Sequence, residues 1–230
     1  MRIQQIYAVY FSPTENTRRI VCQGASEAAR LFQVPCRAIS LNLPKDRETV
    51  HTFSAGDLVI VGGPTYAGKL PNKILPTYQE KLIGKGALAL AVVTYGNRSI
   101  DTSLAELCAT LDGNGFRTVA AGAFVGTHAF SDVLAPDRPD KDDLALMVRL
   151  TDMAVSKIRQ TDGMVPRLVV DGDARAPYYV PKGVDGQPAK FLKAKPKTDL
   201  EKCVSCGSCA RQCPMGSIDP DQPSGVTGIC

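Results

Sequence analysis

Two stretches of this chain are apolar at nearly every position: 57–62, DLVIVG, and 87–94, ALALAVVT. A strand with one wet face alternates apolar and polar residues; an unbroken apolar run has both faces covered. Covering both faces takes helices on each side of a sheet, and so parallel strands joined by crossovers. The first 160 residues meet that demand. Residues 4–11, QQIYAVYF, read as a first strand and 34–41 as a second; 57–62 and 87–94 are the third and fourth, and 116–124 the fifth. Helices are expected at 17–32, 71–83, 101–111 and 140–159. The first places Ile20, Gly24, Ala28 and Leu31 on one face; the last carries Leu144, Met147, Val148, Thr151 and Val155 at helical spacing. Residues 42–55 are polar and read as a connection with at most a short helix. The expected class is α/β: a five-stranded parallel sheet, order 2-1-3-4-5, with helices on both faces.

Right-handed crossovers bring the loops after the strands to one edge of the sheet. Three are unusual: 12–17, 63–71 and 94–99, after the first, third and fourth strands, which flank the switch point of that order. They are expected to converge on one pocket. The first, Ser12-Pro13-Thr14-Glu15-Asn16-Thr17, sets hydroxyls and an amide before a helix. Backbone N–H groups and the positive end of the helix dipole meet there, as a phosphate monoester requires. Neither GxxxxGK[S/T] nor GxGxxG occurs in it. A cradle of side-chain hydroxyls suits one terminal phosphate, hence a mononucleotide, and in this sheet order FMN. The plain alternative is that Ser12 and Thr17 cap the helix.

After residue 160 prolines and glycines punctuate an irregular connector, 161–197. Its basic stretch, 190–197, reads as a solvated face. Then comes Cys203-x-x-Cys206-x-x-Cys209-x-x-x-Cys213-Pro214. This is the C-x2-C-x2-C-x3-C-P run of bacterial iron–sulfur proteins: three thiolates at this spacing wrap one face of a 4Fe-4S cube, and the proline turns the chain away. Zinc prefers two separated CxxC pairs. Cys22, Cys36 and Cys108 read as buried thiols that pack as small hydrophobes. The net charge of +4 shows no long basic block, which argues against nucleic acid. No apolar run reaches membrane-span length, and the first residues are too short and polar for a signal peptide, so a cytoplasmic location is the default expectation.

Ser-Pro-Thr-Glu-Asn-Thr resembles the flavodoxin phosphate loop, T/S-x-T-G-N-T, with Glu15 where that family has glycine. A carboxylate there favours the helix and opposes a phosphate unless it points to solvent. A non-glycine residue also bears strain if the backbone is left-handed. Residues 64–68 and 94–98 resemble the family's two isoalloxazine loops, with Tyr66 and Tyr95 as the flavin-facing rings and N–H groups near Gly68 and Gly96 at its polar edge. Gly122-Ala123-Phe124, through His128 to Arg138-Pro139-Asp140, resembles a further family loop; His128 is given no catalytic role. Taken whole, the chain is similar to fusions of a flavodoxin domain with a bacterial-type ferredoxin domain. That implies a flavodoxin-like FMN-binding domain at 1–160, the connector at 161–197 and a partial ferredoxin-like domain at 198–230.

The resemblance implies cofactor contacts by Ser12, Thr14, Glu15, Asn16, Thr17, Pro64, Thr65, Tyr66, Ala67, Gly68, Thr94, Tyr95, Gly96, Asn97 and Arg98. It implies metal ligation by Cys203, Cys206, Cys209, Cys213 and Cys230, and no catalytic residue. Gly228-Ile229-Cys230 resembles the opening of a second cysteine run whose remainder is missing, so a truncated ferredoxin segment is expected, with cluster assembly in question. The implied cofactors are FMN and a 4Fe-4S cluster. The implied function is electron transfer, with a redox partner protein or small electron acceptor. The alternatives are an FMN-dependent reductase of a small acceptor such as a quinone, and a cofactor-free binding module.

Overall fold

The structure, a computed structural model, describes residues 2–188 and 195–227. The basic stretch at 190–197 lies largely outside them, and Cys230 wholly so. Among the described residues seven strands and five α-helices follow in the order β1 Gln5–Tyr10, α1 Asn16–Phe32, β2 Cys36–Ser40, β3 His51–Ser54, β4 Asp57–Pro64, α2 Leu75–Lys81, β5 Leu82–Lys85, β6 Leu88–Tyr95, α3 Ser103–Gly113, β7 Arg117–Val125, α4 Lys141–Gln160 and α5 Ser208–Gln212.

Five strands make one parallel sheet, β2-β1-β4-β6-β7. Counted along the chain within that sheet, the order is the expected 2-1-3-4-5. The apolar runs divide by alternation. Ile6, Ala8, Leu58, Ile60, Leu88 and Leu90 face one layer with Ile20, Val21 and Ala25 of α1 and Met147 and Ala154 of α4. Val9, Val59, Val61, Ala89, Ala91 and Val93 face the other with Tyr78 of α2 and Leu107 and Leu111 of α3. Each central strand thus feeds two cores, which is why its middle residues are apolar on both faces. Gly24 lets α4 close on α1: a Cβ there would lie 2.1 Å from Met147 Cε. Asp140 caps α4, accepting from the N–H groups of Asp142 and Asp143 at 2.9 and 3.1 Å.

Three expectations need correction. The connection at 42–55 holds one 3-10 turn, Pro44–Arg47, and then β3, which pairs in parallel with β5 as a separate two-stranded sheet. The helix expected at 71–83 is only Leu75–Lys81. Pro76 explains the late start: a proline is tolerated in the first turn, and a helix begun at Pro71 would bury it in the interior. The helix ends where Leu82 enters β5. Of the first-half cysteines, Cys108 is buried, Cys22 half-buried and Cys36 exposed on the edge strand β2, so only Cys108 fits the buried-thiol reading fully. Burial pushes the Cys108 thiol up to about 12, which leaves it inert.

The start of the connector lies against the sheet. Leu168 donates its N–H to Thr118 O at 2.7 Å, and Val165 is fully buried.

Candidate cofactor sites

The 12–17, 63–71 and 94–99 loops do meet, at the carboxyl edge of the sheet. Together with 126–130 they line a cavity of about 480 Å³. That is within the usual size of a small-molecule site.

At one end stands the 12–17 loop. Ser12 is buried and fixed three ways: its N–H donates to Asn42 Oδ1 at 2.6 Å, its carbonyl accepts from Asn42 Nδ2 at 3.1 Å, and its Oγ accepts the Arg18 N–H at 3.0 Å. The Ser12 hydroxyl is therefore spent on the first turn of α1. The hydroxyls of Thr17 and Thr94 share a buried hydrogen bond of 2.6 Å. The capping alternative thus holds for Ser12, while Thr17 ties α1 to β6. The Arg19 N–H goes to Glu15 O at 3.0 Å. The first-turn N–H groups of Asn16 and Thr17 take no partner among the described residues. They stand open to the cavity end beside the Thr14 hydroxyl, with the dipole of a 17-residue helix behind them.

Glu15 sits in the left-handed region, φ 66. The glycine-type conformation is kept and the side chain accepts its strain. Its carboxylate is drawn outward to Arg18 at 2.5 Å, both side chains half-exposed. Glu15 does not line the cavity, and neither does Asn97 (φ 57). The other thirteen sequence-expected cofactor residues all do. Sequence reading missed Gly126, Thr127, Ala129 and Phe130 and gave His128 no role. The available signal was that β7 ends at the same sheet edge. Asn16 Nδ2 donates to Thr127 O at 3.3 Å, and a Cβ on Gly126 would lie 2.9 Å from Asn16 Nδ2.

Tyr66 and Tyr95 also line the cavity. Tyr66 and Lys69 close a two-residue turn through paired backbone bonds of 2.8 and 3.2 Å, with Ala67 (φ 49) and Gly68 (φ 80) both left-handed. The turn is pinned from below by a buried ion pair. Lys69 Nζ lies 3.0 Å from Glu106 Oε1 and donates to Ala174 O at 2.7 Å, while Glu106 Oε2 accepts the Leu70 N–H at 2.7 Å. With all these groups satisfied, the buried charges are tolerated. The connector then straps the turn: Tyr179 N–H donates to Ala67 O at 2.9 Å, and the Tyr178 hydroxyl donates to Leu70 O. Burial, with Glu106 nearby, pushes the Tyr178 hydroxyl up to about 12, so it remains a donor. Arg98 is held by Asp101 Oδ2 at 2.6 Å and lies 4.3 Å above the Tyr179 ring. Among the described residues no carboxylate lines the cavity. Tyr66 keeps 45% of its surface exposed and Phe130 94%, so the cavity is open to solvent where they line it.

The second site is the cysteine run. Cys203 is half-buried, Cys206 and Cys209 are exposed, and Cys213 is buried with its Sγ accepting the Ser217 N–H at 3.3 Å. Left-handed Ser205 (φ 52) and Gly207 (φ 66) bend the run ahead of α5. Among the described residues no three Cys, His, Asp or Glu side chains are already gathered around a metal position. The donor set fits an iron–sulfur core all the same: four thiols at the right spacing, three of them reachable and the fourth already taking an N–H···S bond. Among the described residues no helix is long and apolar enough to cross a membrane.

Residues 196–219 match the family described as 4Fe-4S binding domain. No curated protein matches the chain. Solved structures similar to it include a flavodoxin from the domain Archaea (15% identity, 68% of this chain and 100% of that one, TM-score 0.44). Others are oxidised flavodoxin 2 from Bacillus cereus (15%, 67% and 99%, TM-score 0.49) and an NADH:FMN oxidoreductase in its apo form (16%, 70% and 94%, TM-score 0.48). Similarity at that level carries no argument by itself; the fold rests on the sheet order above. The molecule is a flavodoxin-like α/β unit with a 4Fe-4S ferredoxin-type segment in one chain.

Proposed function

We propose that the chain is an electron-transfer protein in which FMN, held at the sheet edge, exchanges electrons with an iron–sulfur centre. The observation that carries this is the cavity itself. Its lining combines unpartnered helix N–H groups, a threonine hydroxyl and two tyrosines, with no carboxylate among the described residues, in a chain with a four-cysteine run. The units are taken as 1–160, 161–197 and 198–230.

In this reading Thr14 and the N–H groups of Asn16 and Thr17 hold the FMN phosphate, and Tyr66 and Tyr95 flank its ring system. Backbone groups near Gly68 and Gly96 reach the ring's polar edge. Cys203, Cys206 and Cys209 hold one 4Fe-4S cluster, and its fourth ligand comes from Cys213 or Cys230. Bound FMN stores one or two electrons and the cluster passes them singly; the protein supplies position and electrostatics. A cytoplasmic location suits this, because thiolate ligation needs reduced cysteines.

The test is the absorption spectrum of the protein reconstituted anaerobically with FMN, iron and sulfide. Flavin bands together with broad thiolate-to-iron absorption support the reading, and the absence of both defeats it. Sustained turnover of a quinone with NAD(P)H alone would turn the carrier into a reductase of a small acceptor.

A further inference from the structure

The cysteine run does not hang free of the α/β unit. Arg47, in the turn after β2, holds three backbone carbonyls: Nη1 donates to Leu41 O at 3.0 Å and Asn42 O at 2.8 Å, and Nη2 donates to Pro214 O at 2.8 Å. Pro214 directly follows Cys213. Met215 packs on the core layer that holds Phe11 and Leu41. A Cβ on Gly216 would lie 3.2 Å from Pro44 Cγ. Asn42, whose carbonyl Arg47 holds, is the residue that grips Ser12 from both sides of its peptide. An unbroken series of contacts thus runs from the 12–17 loop through Asn42 and Arg47 to the residue beside Cys213.

Among the described residues Arg47 has no carboxylate as a hydrogen-bond partner. Burial lowers its pKa, and Asp46 offsets this only in part while its own Oδ2 accepts the Leu43 N–H. A partly buried guanidinium costs desolvation, and here carbonyl oxygens compensate it. The planar fork matters, because a lysine point charge does not span three carbonyls in fixed directions.

We infer that residues 213–216 are a built-in docking segment seated on the 42–47 turn, with Arg47 as the positioning residue that makes the cysteine run the internal redox partner of the flavin pocket. This rests on the function proposed above for its redox part. The exchange it serves moves one electron: the reduced flavin loses one and releases a proton to water, and the oxidised cluster gains one.

The test uses the full chain with Arg47→Met, Arg47→Lys and Met215→Ser; the last loosens the seat without touching the 42–47 turn. The first arm is amide hydrogen exchange on the protein without cofactors. Exchange at Cys213, Gly216 and Ser217 is expected to quicken about tenfold or more in Arg47→Met, with Arg47→Lys rescuing little and β6 unchanged. Unchanged exchange at 213–217 in both Arg47→Met and Met215→Ser overturns the dock. The second arm loads FMN and cluster and follows flavin-to-cluster electron exchange by rapid mixing. Arg47→Met is expected to slow it about tenfold or more when compared with the wild type at saturating FMN and equal iron content. An unaltered rate overturns the positioning role. A wild-type chain that takes up no FMN defeats the proposed function and not the dock, which the first arm decides alone.

Discussion

The α/β unit and the cysteine segment come to order by different means. In β4 and β6 nearly every side chain is buried, and each strand feeds two apolar layers. That unit closes through apolar burial, which needs no ligand. In residues 196–219 the buried side chains are only Cys213 and Ser217, and α5 has five residues, too few to stand as a helix alone. Its order is borrowed from the 42–47 turn and, when metal is present, from thiolate bonds. One unit should therefore keep its whole order without its cofactor, and the other only where residues 213–216 are seated on that turn.

The sharpest break in that comparison is removal of the thiolates. Cys206→Ser with Cys209→Ser should take iron and sulfide to background while FMN binding and the urea midpoint of the α/β unit stay unchanged. Retention of full iron in the double variant would remove these residues from the metal site. The converse variant strikes the first unit. Gly62 lies in β4 beneath α1, and a Cβ there would meet Val21 Cγ2 at 2.4 Å and Thr17 Cγ2 at 2.9 Å. Gly62→Ala should cost about 2–3 kcal/mol by urea denaturation and loosen FMN binding by lifting the start of α1. Iron content should hold; its loss would show that the segment depends on the sheet more than its few buried side chains suggest.

Legibility in the sequence follows the same divide. The sheet order could be read because β4 and β6 are apolar on both faces, and a strand's end locates its loop. Thirteen expected cofactor residues meet in one cavity for that reason. The β3–β5 pair was not legible, since His51 to Ser54 carries no apolar alternation and Leu82 to Lys85 looks like the tail of a helix. Only spatial pairing of the two makes them strands. Asn42 and the 126–130 lining were hidden because their contacts to the 12–17 loop span 30 and 111 residues of chain. The cysteine run shows the opposite pattern. Its chemistry is plain from spacing, while its seat depends on one arginine 167 residues away.

A smaller effect separates the two regions by pH. Asp143 is buried at the start of α4 and accepts from the Arg138 guanidinium and, at 2.9 Å, from the Asp140 N–H. Arg138 beside it holds the carboxyl below the usual Asp range. A depressed folded pKa contributes stability above the ordinary carboxylate range that is lost as pH falls through the folded value. Asp143→Asn should cost about 1.5 kcal/mol at neutral pH and flatten the acid decline below about pH 4. The measurement is urea denaturation at stepped pH. An acid limb as steep as in the wild type would assign that decline to other carboxylates.

The smallest effect tests the loop on which the FMN reading depends. Glu15 keeps a left-handed backbone and turns its carboxylate to Arg18. Two contributions can be separated there, charge and strain. Glu15→Gln removes the charge and keeps the strained residue; Glu15→Gly removes both. If the carboxylate opposes the phosphate, both variants should bind FMN about fivefold tighter, as expected for one unit charge in a solvated setting, with riboflavin affinity unaltered. Flavin fluorescence titration reads this directly. Only Glu15→Gly should also raise the urea midpoint, since relief of the left-handed conformation is worth about 1 kcal/mol. Equal gains for FMN and riboflavin would mean that the loop does not hold the phosphate. No gain for FMN in either variant would mean that Arg18 already cancels the charge, and that the cradle tolerates glutamate in a left-handed position by pairing it away.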